Sequence, residues 1–283
     1  MLQIGKLTVH LLNDGPFLLD GGSMFGMVPK VLWQKLCEPD ELNRVVLAMN
    51  SLLIRSDKKL ILIETGIGRK LGEKQRRIYG FSDRTSLLKS LSSVDVAPED
   101  IDVVINTHLH LDHCGWNTML DESGSVTPTF PNARYVIQRG EWEAAMNPNE
   151  LGSGSYLKEN FEPLEAAGQL DLIDGEEQIT PHLRVQPWKG HTDHHQIVIL
   201  DSEGCGGVYI GDIVPTSAHL RAAYVTAFDA SAQEILESKR EIVRQALEQD
   251  WILFYPHDAK IPASRLSPPQ SDREFAVASS VEI

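Results

Sequence analysis

The sequence predicts an α+β protein whose sheets are covered on both faces and whose helices are few. Short apolar runs rich in Val, Ile and Leu alternate with turn signals along the whole length. Several of these runs are continuously apolar, as strands buried on both faces are. Neither a repeat nor a splitting linker interrupts the 283 residues, so one domain spanning residues 1–283 is expected.

The first strand is expected at Lys6–Leu12. Met49–Ile54 and Leu60–Glu64 form a hairpin, because the polar stretch Ser56-Asp57-Lys58-Lys59 joins two apolar runs. A helix over Thr85–Ser92 precedes strands at Asp102–Asn106 and Arg134–Gln138, and a short helix follows at Glu141–Met146. Gly, Ser, Asn and Pro between Asn147 and Gly168 read as a long surface loop with room for one short helix. Strands then follow at Leu183–Trp188, Gln196–Leu200, Val208–Gly211 and Ile252–Tyr255. Between the last two lies the clearest helix, Ala232–Gln249. Ser231 and Glu234 make an S-x-x-E capping box, and Ile235, Ile242, Val243, Ala246 and Leu247 share one face. From Pro262 onward the chain shows little periodicity.

Composition narrows the function. Forty acidic against 26 basic residues give a net charge of −14, which repels phosphate backbones and argues against a nucleic-acid partner. Cys37, Cys114 and Cys205 are far apart and odd in number, so neither a disulfide framework nor a C-x-x-C pair is expected. The absence of a secretory leader pattern and of a membrane-length apolar run leads us to expect a cytoplasmic protein acting on a small molecule, with no membrane partner. Apolar residues near the N-terminus leave a homodimer open.

The strongest chemical signal is His108-Leu109-His110-Leu111-Asp112-His113, directly after a strand. In extended backbone residues i and i+2 point the same way, so His108 and His110 can grip one cation. Asp112 and His113 follow where the chain can turn toward a second. Gly190-His191-Thr192, Ile210-Gly211-Asp212 and Pro256-His257-Asp258 each follow an expected strand as well. Five histidines and two aspartates match the needs of a centre for two divalent cations. Without thiolate, such a centre suits Zn first, with Mn, Fe or Co as alternatives.

These ordered motifs resemble those of the metallo-β-lactamase-fold hydrolases in kind, order and spacing, over nearly the whole chain. The resemblance implies an αββα four-layer sandwich of two mixed sheets with the metals at one edge. It implies that His108, His110 and His191 hold one ion, that Asp112, His113 and His257 hold the other, and that Asp212 bridges them. A hydroxide shared by the ions would be the nucleophile, and protonated Asp112 would assist the leaving group. Two departures stand out. Glu64, in Ile63-Glu64-Thr65-Gly66, stands where the family commonly has Asp, and Thr192-Asp193-His194-His195 stands where Pro-Gly usually precedes the last His. His194 is read as a solvated loop residue.

His219 is well placed to line the pocket. Tyr224 could donate to a developing oxyanion, as a tyrosine does in related lactonases, although ordinary packing competes for both and is preferred for Tyr224. Met24, Phe25, Met27, Trp33 and Trp116 are candidates for an apolar acyl-binding wall or for core. The basic stretch Arg69-Lys70 to Arg76-Arg77 is read as a solvated loop, and Cys114 as a small packing residue. The segment Met24–Lys30 resembles that of the N-acyl homoserine lactonase and organophosphate hydrolase branch. The expected activity is therefore metal-dependent opening of a lactone or ester. A phosphotriesterase or arylesterase on the same centre is the alternative, and a non-catalytic metal sensor is a third reading. A nuclease, a flavodiiron reductase and a glyoxalase II-like thioesterase would each need segments that are not recognisable here.

Overall fold

Side chains alternate across a strand, so a continuously apolar strand must bury one set of residues on each face. In the computed structural model, which describes residues 1–81, 85–268 and 277–283, the strands do so in two sheets. Leu52, Ile54, Ile61, Ile63, Val103, Ile105 and Val136 of the first sheet meet Leu183, Val185, Val198, Leu200, Tyr209 and Phe254 of the second in one buried layer. The intervening residues face outward. Leu53, Leu62, Val104 and Ile137 pack with Leu87, Leu91 and Trp142 of the helices outside the first sheet. Ile197, Ile199, Val208 and Leu253 pack with Ile235, Ile242 and Ala246 of the long helix outside the second. The four layers are helix, sheet, sheet, helix, as the sequence led us to expect.

Each sheet is mixed and seven-stranded. In the first, Lys59–Ile63 runs parallel to Val103–Ile105, which runs parallel to Arg134–Gln138. In the second, Cys205–Tyr209 runs parallel to Ile252–Phe254. The C-terminal ends of these strands come to one edge of the sandwich, and the loops leaving them carry the motifs. Asn50 ties the sheets together there: its amide donates to the carbonyls of Tyr255 (3.0 Å) and Asp258 (2.9 Å), and its own carbonyl accepts from the Tyr209 hydroxyl (2.6 Å).

The structure corrects several expectations. The first long strand extends from Leu7 to Asp20, past the expected end at Leu12, and takes up Asn13-Asp14-Gly15-Pro16 as a β-bulge with Gly15 at φ 108°. The hairpin turn is the two residues Asp57-Lys58, with Ser56 paired to Lys59. The tail forms two further strands of the second sheet, Ala263–Ser267 and, at its edge, Val277–Ser280; residues 269–276 lie outside the described ones. Arg69 and Lys70 are not solvated: Arg69 pairs with buried Asp14 (3.2 Å), and the Lys70 ammonium donates to the Gly115 and Thr118 carbonyls (both 2.5 Å).

The long helix covers Ala232–Glu248, and the Ser231 hydroxyl oxygen accepts from the Glu234 N–H (3.2 Å). The expected reciprocal bond is replaced, because the Ser231 N–H donates to the Gly190 carbonyl (3.0 Å) and ties the helix to the loop before His191. Among the described residues no helix is long and apolar enough to cross a membrane.

Candidate metal centre

Four loops converge at the sandwich edge. They bring the ligating atoms of His108, His110 and His191, of His108, His113 and Asp212, and of Asp112, His113 and His257 within 4.8 Å of one another in each group. Asp212 lies centrally, 3.4 Å from the His113 and His191 Nε2 atoms and 3.2 Å from His257 Nε2. Asp112 approaches His257 Nε2 at 3.6 Å.

The outer nitrogens of three rings are held by the protein, which fixes what the inner ones offer. His257 Nδ1–H donates to the Ala48 carbonyl (2.8 Å), His191 Nδ1–H to Asp229 (2.8 Å), and His113 Nδ1 faces the Glu64 carboxylate at 3.5 Å. The Nε2 atoms of all three therefore point inward, toward Asp212. His257 Nε2 stands 3.1 Å from His113 Nε2, and His191 Nε2 stands 3.1 Å from His110 Nδ1. Buried His108 Nε2 and Asp212 Oδ1 have no hydrogen-bond partner among the described residues. Crowded, unshared lone pairs are costly unless something positive lies between them. This set of imidazole and carboxylate donors, without thiolate, fits divalent cations.

Electrostatics agrees. Burial, then the neighbouring imidazoles of His113, His110 and His191, holds His108 well below the usual histidine range. Burial opposes protonation of His113 too, but Asp212, Asp112 and Glu64 push it well above that range. Against its own burial, Asp212 is held well below the usual carboxylate range by His257, His113 and His191. A negative pole surrounded by nitrogens is a cation trap.

Glu64 sits where the sequence set it apart. Its backbone is left-handed, φ 63°, and its carboxylate takes the Thr107 N–H (2.7 Å) with one oxygen while the other faces His113. His194 is exposed, whereas His195 is buried, and its Nε2 accepts the Asp212 N–H (3.2 Å). His219 lies off the pocket. Its Nε2–H donates to the Met24 carbonyl (2.8 Å), Nδ1 accepts from the Thr216 hydroxyl (2.7 Å), and its ring stacks on Phe25 at 4.9 Å. Tyr224 is also off the pocket, edge-on to Phe25 with its hydroxyl toward Arg221. Cys114 is buried beside Leu109 and Trp116.

The pocket over the centre is walled by Phe17, Leu19, Met24, Tyr79, Leu111 and Phe228, with Asp112, Asp212, His110, His191 and His257 as its floor. Of the five apolar candidates only Met24 lines it. Phe25 and Trp33 stack behind (5.0 Å), Met27 is 89% exposed, and the Trp116 indole N–H donates to Asp14 (2.8 Å). Sequence reasoning missed Asp229, Glu141 and His195. Only the last carried a signal, its place in the expected motif.

Comparison with known proteins settles the lineage. The family model of the metallo-beta-lactamase superfamily matches residues 44–257, three quarters of the chain. The chain belongs to the metallo-beta-lactamase superfamily. Within this superfamily it is 25% identical to an N-acyl homoserine lactonase of a Bacillus species over 218 residues, covering 73% of this chain and 79% of the relative. It is also similar to a probable metal-dependent hydrolase from Staphylococcus aureus, with 30% identity, a TM-score of 0.89 and all of both chains covered. The dizinc quorum-quenching lactonase AidC, solved with a product, shares the fold at 20% identity and TM-score 0.79, covering 100% of this chain and 97% of AidC. These relatives are hydrolases.

Proposed function

We propose that this protein is a dinuclear metal-dependent hydrolase that opens a lactone or related ester, with N-acyl homoserine lactones as the first substrate class to try. The observation that carries the reading is the convergence of the three ligand groups on the floor of an apolar pocket. His108, His110 and His191 would hold one divalent cation, Asp112, His113 and His257 the other, and Asp212 would lie between them. Such cations, with Zn as the first expectation, supply activation of water near neutral pH and polarisation of a carbonyl oxygen.

The chain's own residues do the rest. Phe17, Leu19, Met24 and Phe228 exclude water and offer a surface to an acyl chain. Asp112 lines the pocket and is partly exposed, so its carboxyl can take a proton from the attacking water and return it to the departing alkoxide. No Lys or Arg lines this pocket among the described residues, which favours a neutral substrate over an anionic one. Neutrality equally suits a phosphotriester or an aryl ester, the second reading.

Proton release by the zinc-loaded protein, followed in a pH-stat, separates these. Fast opening of a long-chain acyl homoserine lactone beside slower aryl ester and triester supports the first reading, and the reverse order supports the second. Silence on all three with tight metal binding would favour a non-catalytic sensor.

A further inference from the structure

Glu141 lies in the short helix Arg139–Met146, outside every motif described above, and is 1% exposed. Its carboxylate accepts three hydrogen bonds, all from neutral donors and each from a different segment. One oxygen takes the Leu109 N–H (3.0 Å) and the Tyr156 hydroxyl (3.0 Å), and the other takes the Thr192 hydroxyl (2.6 Å). Leu109 stands between His108 and His110, and Thr192 directly follows His191. Tyr156 sets its ring edge against His110 at 4.9 Å, and the neighbouring Ser155 carbonyl accepts the Leu111 N–H (2.9 Å). One buried carboxylate thus joins the three segments that meet where His110 and His191 bring their nitrogens to 3.1 Å. In the other ligand group His257 is braced by the Ala48 carbonyl and His113 faces Glu64, whose second oxygen takes the Thr107 N–H; Glu141 contacts neither of these two histidines.

We propose that Glu141 is a positioning residue for the trio His108, His110 and His191, setting the spacing at which they hold one of the two cations. The inference rests on the dinuclear reading above and adds that Glu141 braces one of the two cation positions and not the other. A buried carboxylate with three donors and, among the described residues, no basic side chain in contact is otherwise a poor core residue, since burial costs it more than neutral hydrogen bonds usually return.

The test is cobalt(II) titration of the full chain, followed by visible absorption and by counting the ions retained after gel filtration. Glutamine can keep the geometry: its amide oxygen accepts from Leu109 and Tyr156, and its NH₂ donates to the Thr192 oxygen. Glu141→Gln should hold both ions within about threefold of the parent, and Glu141→Ala should hold one normally and the other at least about tenfold more weakly. Circular dichroism of the metal-free Glu141→Ala chain checks that it folds. If it does not, Thr192→Val and Tyr156→Phe decide, each expected to weaken the same single ion while metal-free stability changes little.

Unchanged affinity for both ions in Glu141→Ala, or in both single-bond variants, overturns the proposal. Equal weakening of both ions, or equal losses in the Gln and Ala variants, overturns it as well. A parent chain that takes up fewer than two ions overturns the dinuclear reading and this inference with it. Two tight ions in the parent with no effect of Glu141 overturns this inference alone.

Discussion

Asp212 sits at the middle of the candidate centre, its carboxylate within 3.4 Å of nitrogens from His113, His191 and His257. Replacing Asp212 or His113 by Ala should cost at least about 100-fold in kcat/KM and one of the two ions, since even residues that only brace a ligand cost 10–100-fold. Turnover and metal analysis on the same preparations check this; a variant with both ions and full turnover would refute the assignment. His219 acts differently. Burial, then the nearby Lys239, lowers its pKa from 6.5 to about 4, so the folded chain resists a proton that the unfolded chain accepts. Its contribution is full above pH 6.5 and fades as pH falls toward 4. The stability gap between parent and His219→Gln, read from urea unfolding of metal-free protein, should therefore narrow by about 2 kcal/mol between pH 7 and pH 5. A gap that stays constant would mean that burial and Lys239 do not hold the imidazole neutral.

At the scale of elements, the loops matter more than the strands that launch them. Ser231 serves the helix with its side chain and the site with its backbone. Ser231→Ala should lose about 1 kcal/mol of stability through the missing cap, yet leave cobalt affinity unchanged, because the N–H to Gly190 survives. Weakened metal binding would show that the cap itself sets the His191 loop. Much of this layer was legible beforehand. Val103, Val104 and Ile105 read as a strand buried on both faces, and His108 and His110 read as a pair pointing one way beyond it. What escaped depends on tertiary partners that leave no local pattern. The tail strand Ala263–Ser267 is polar and lies near a sheet edge, so it lacks a strong apolar period. Arg69 reads as one of a basic run until Asp14, fifty-five positions earlier, is seen beside it. Asp229 and Glu141 are acidic residues in unremarkable surroundings whose meaning lies in a hydrogen bond to His191 or to the backbone between two histidines.

For the whole molecule, the centre exists only when both sheets are docked, since Glu64 and His108–His113 leave the first sheet and His191, Asp212 and His257 leave the second. Cations that bind this assembled edge and not the unfolded chain stabilise the entire sandwich by mass action, about 2.7 kcal/mol per site at 100 times the dissociation constant. Chelation should then lower the unfolding temperature by about 5–10 °C for each site emptied, at roughly 2–4 °C per kcal/mol for chains of this size, and zinc should restore it. Leu200, buried between the sheets, sits on Gln196–Ser202 toward the end away from the centre. Leu200→Ala should cost about 2–5 kcal/mol through the cavity it leaves. Because it lies far from the ligands, the stabilisation by zinc should be the same in this variant as in the parent, within about 0.5 kcal/mol. Scanning calorimetry with and without zinc tests the argument. One cooperative transition that moves as a unit is expected in all four samples. A second transition, with only one of the two responding to zinc, would mean that a single sheet can hold the cations, and that the sandwich is not the unit that binds them.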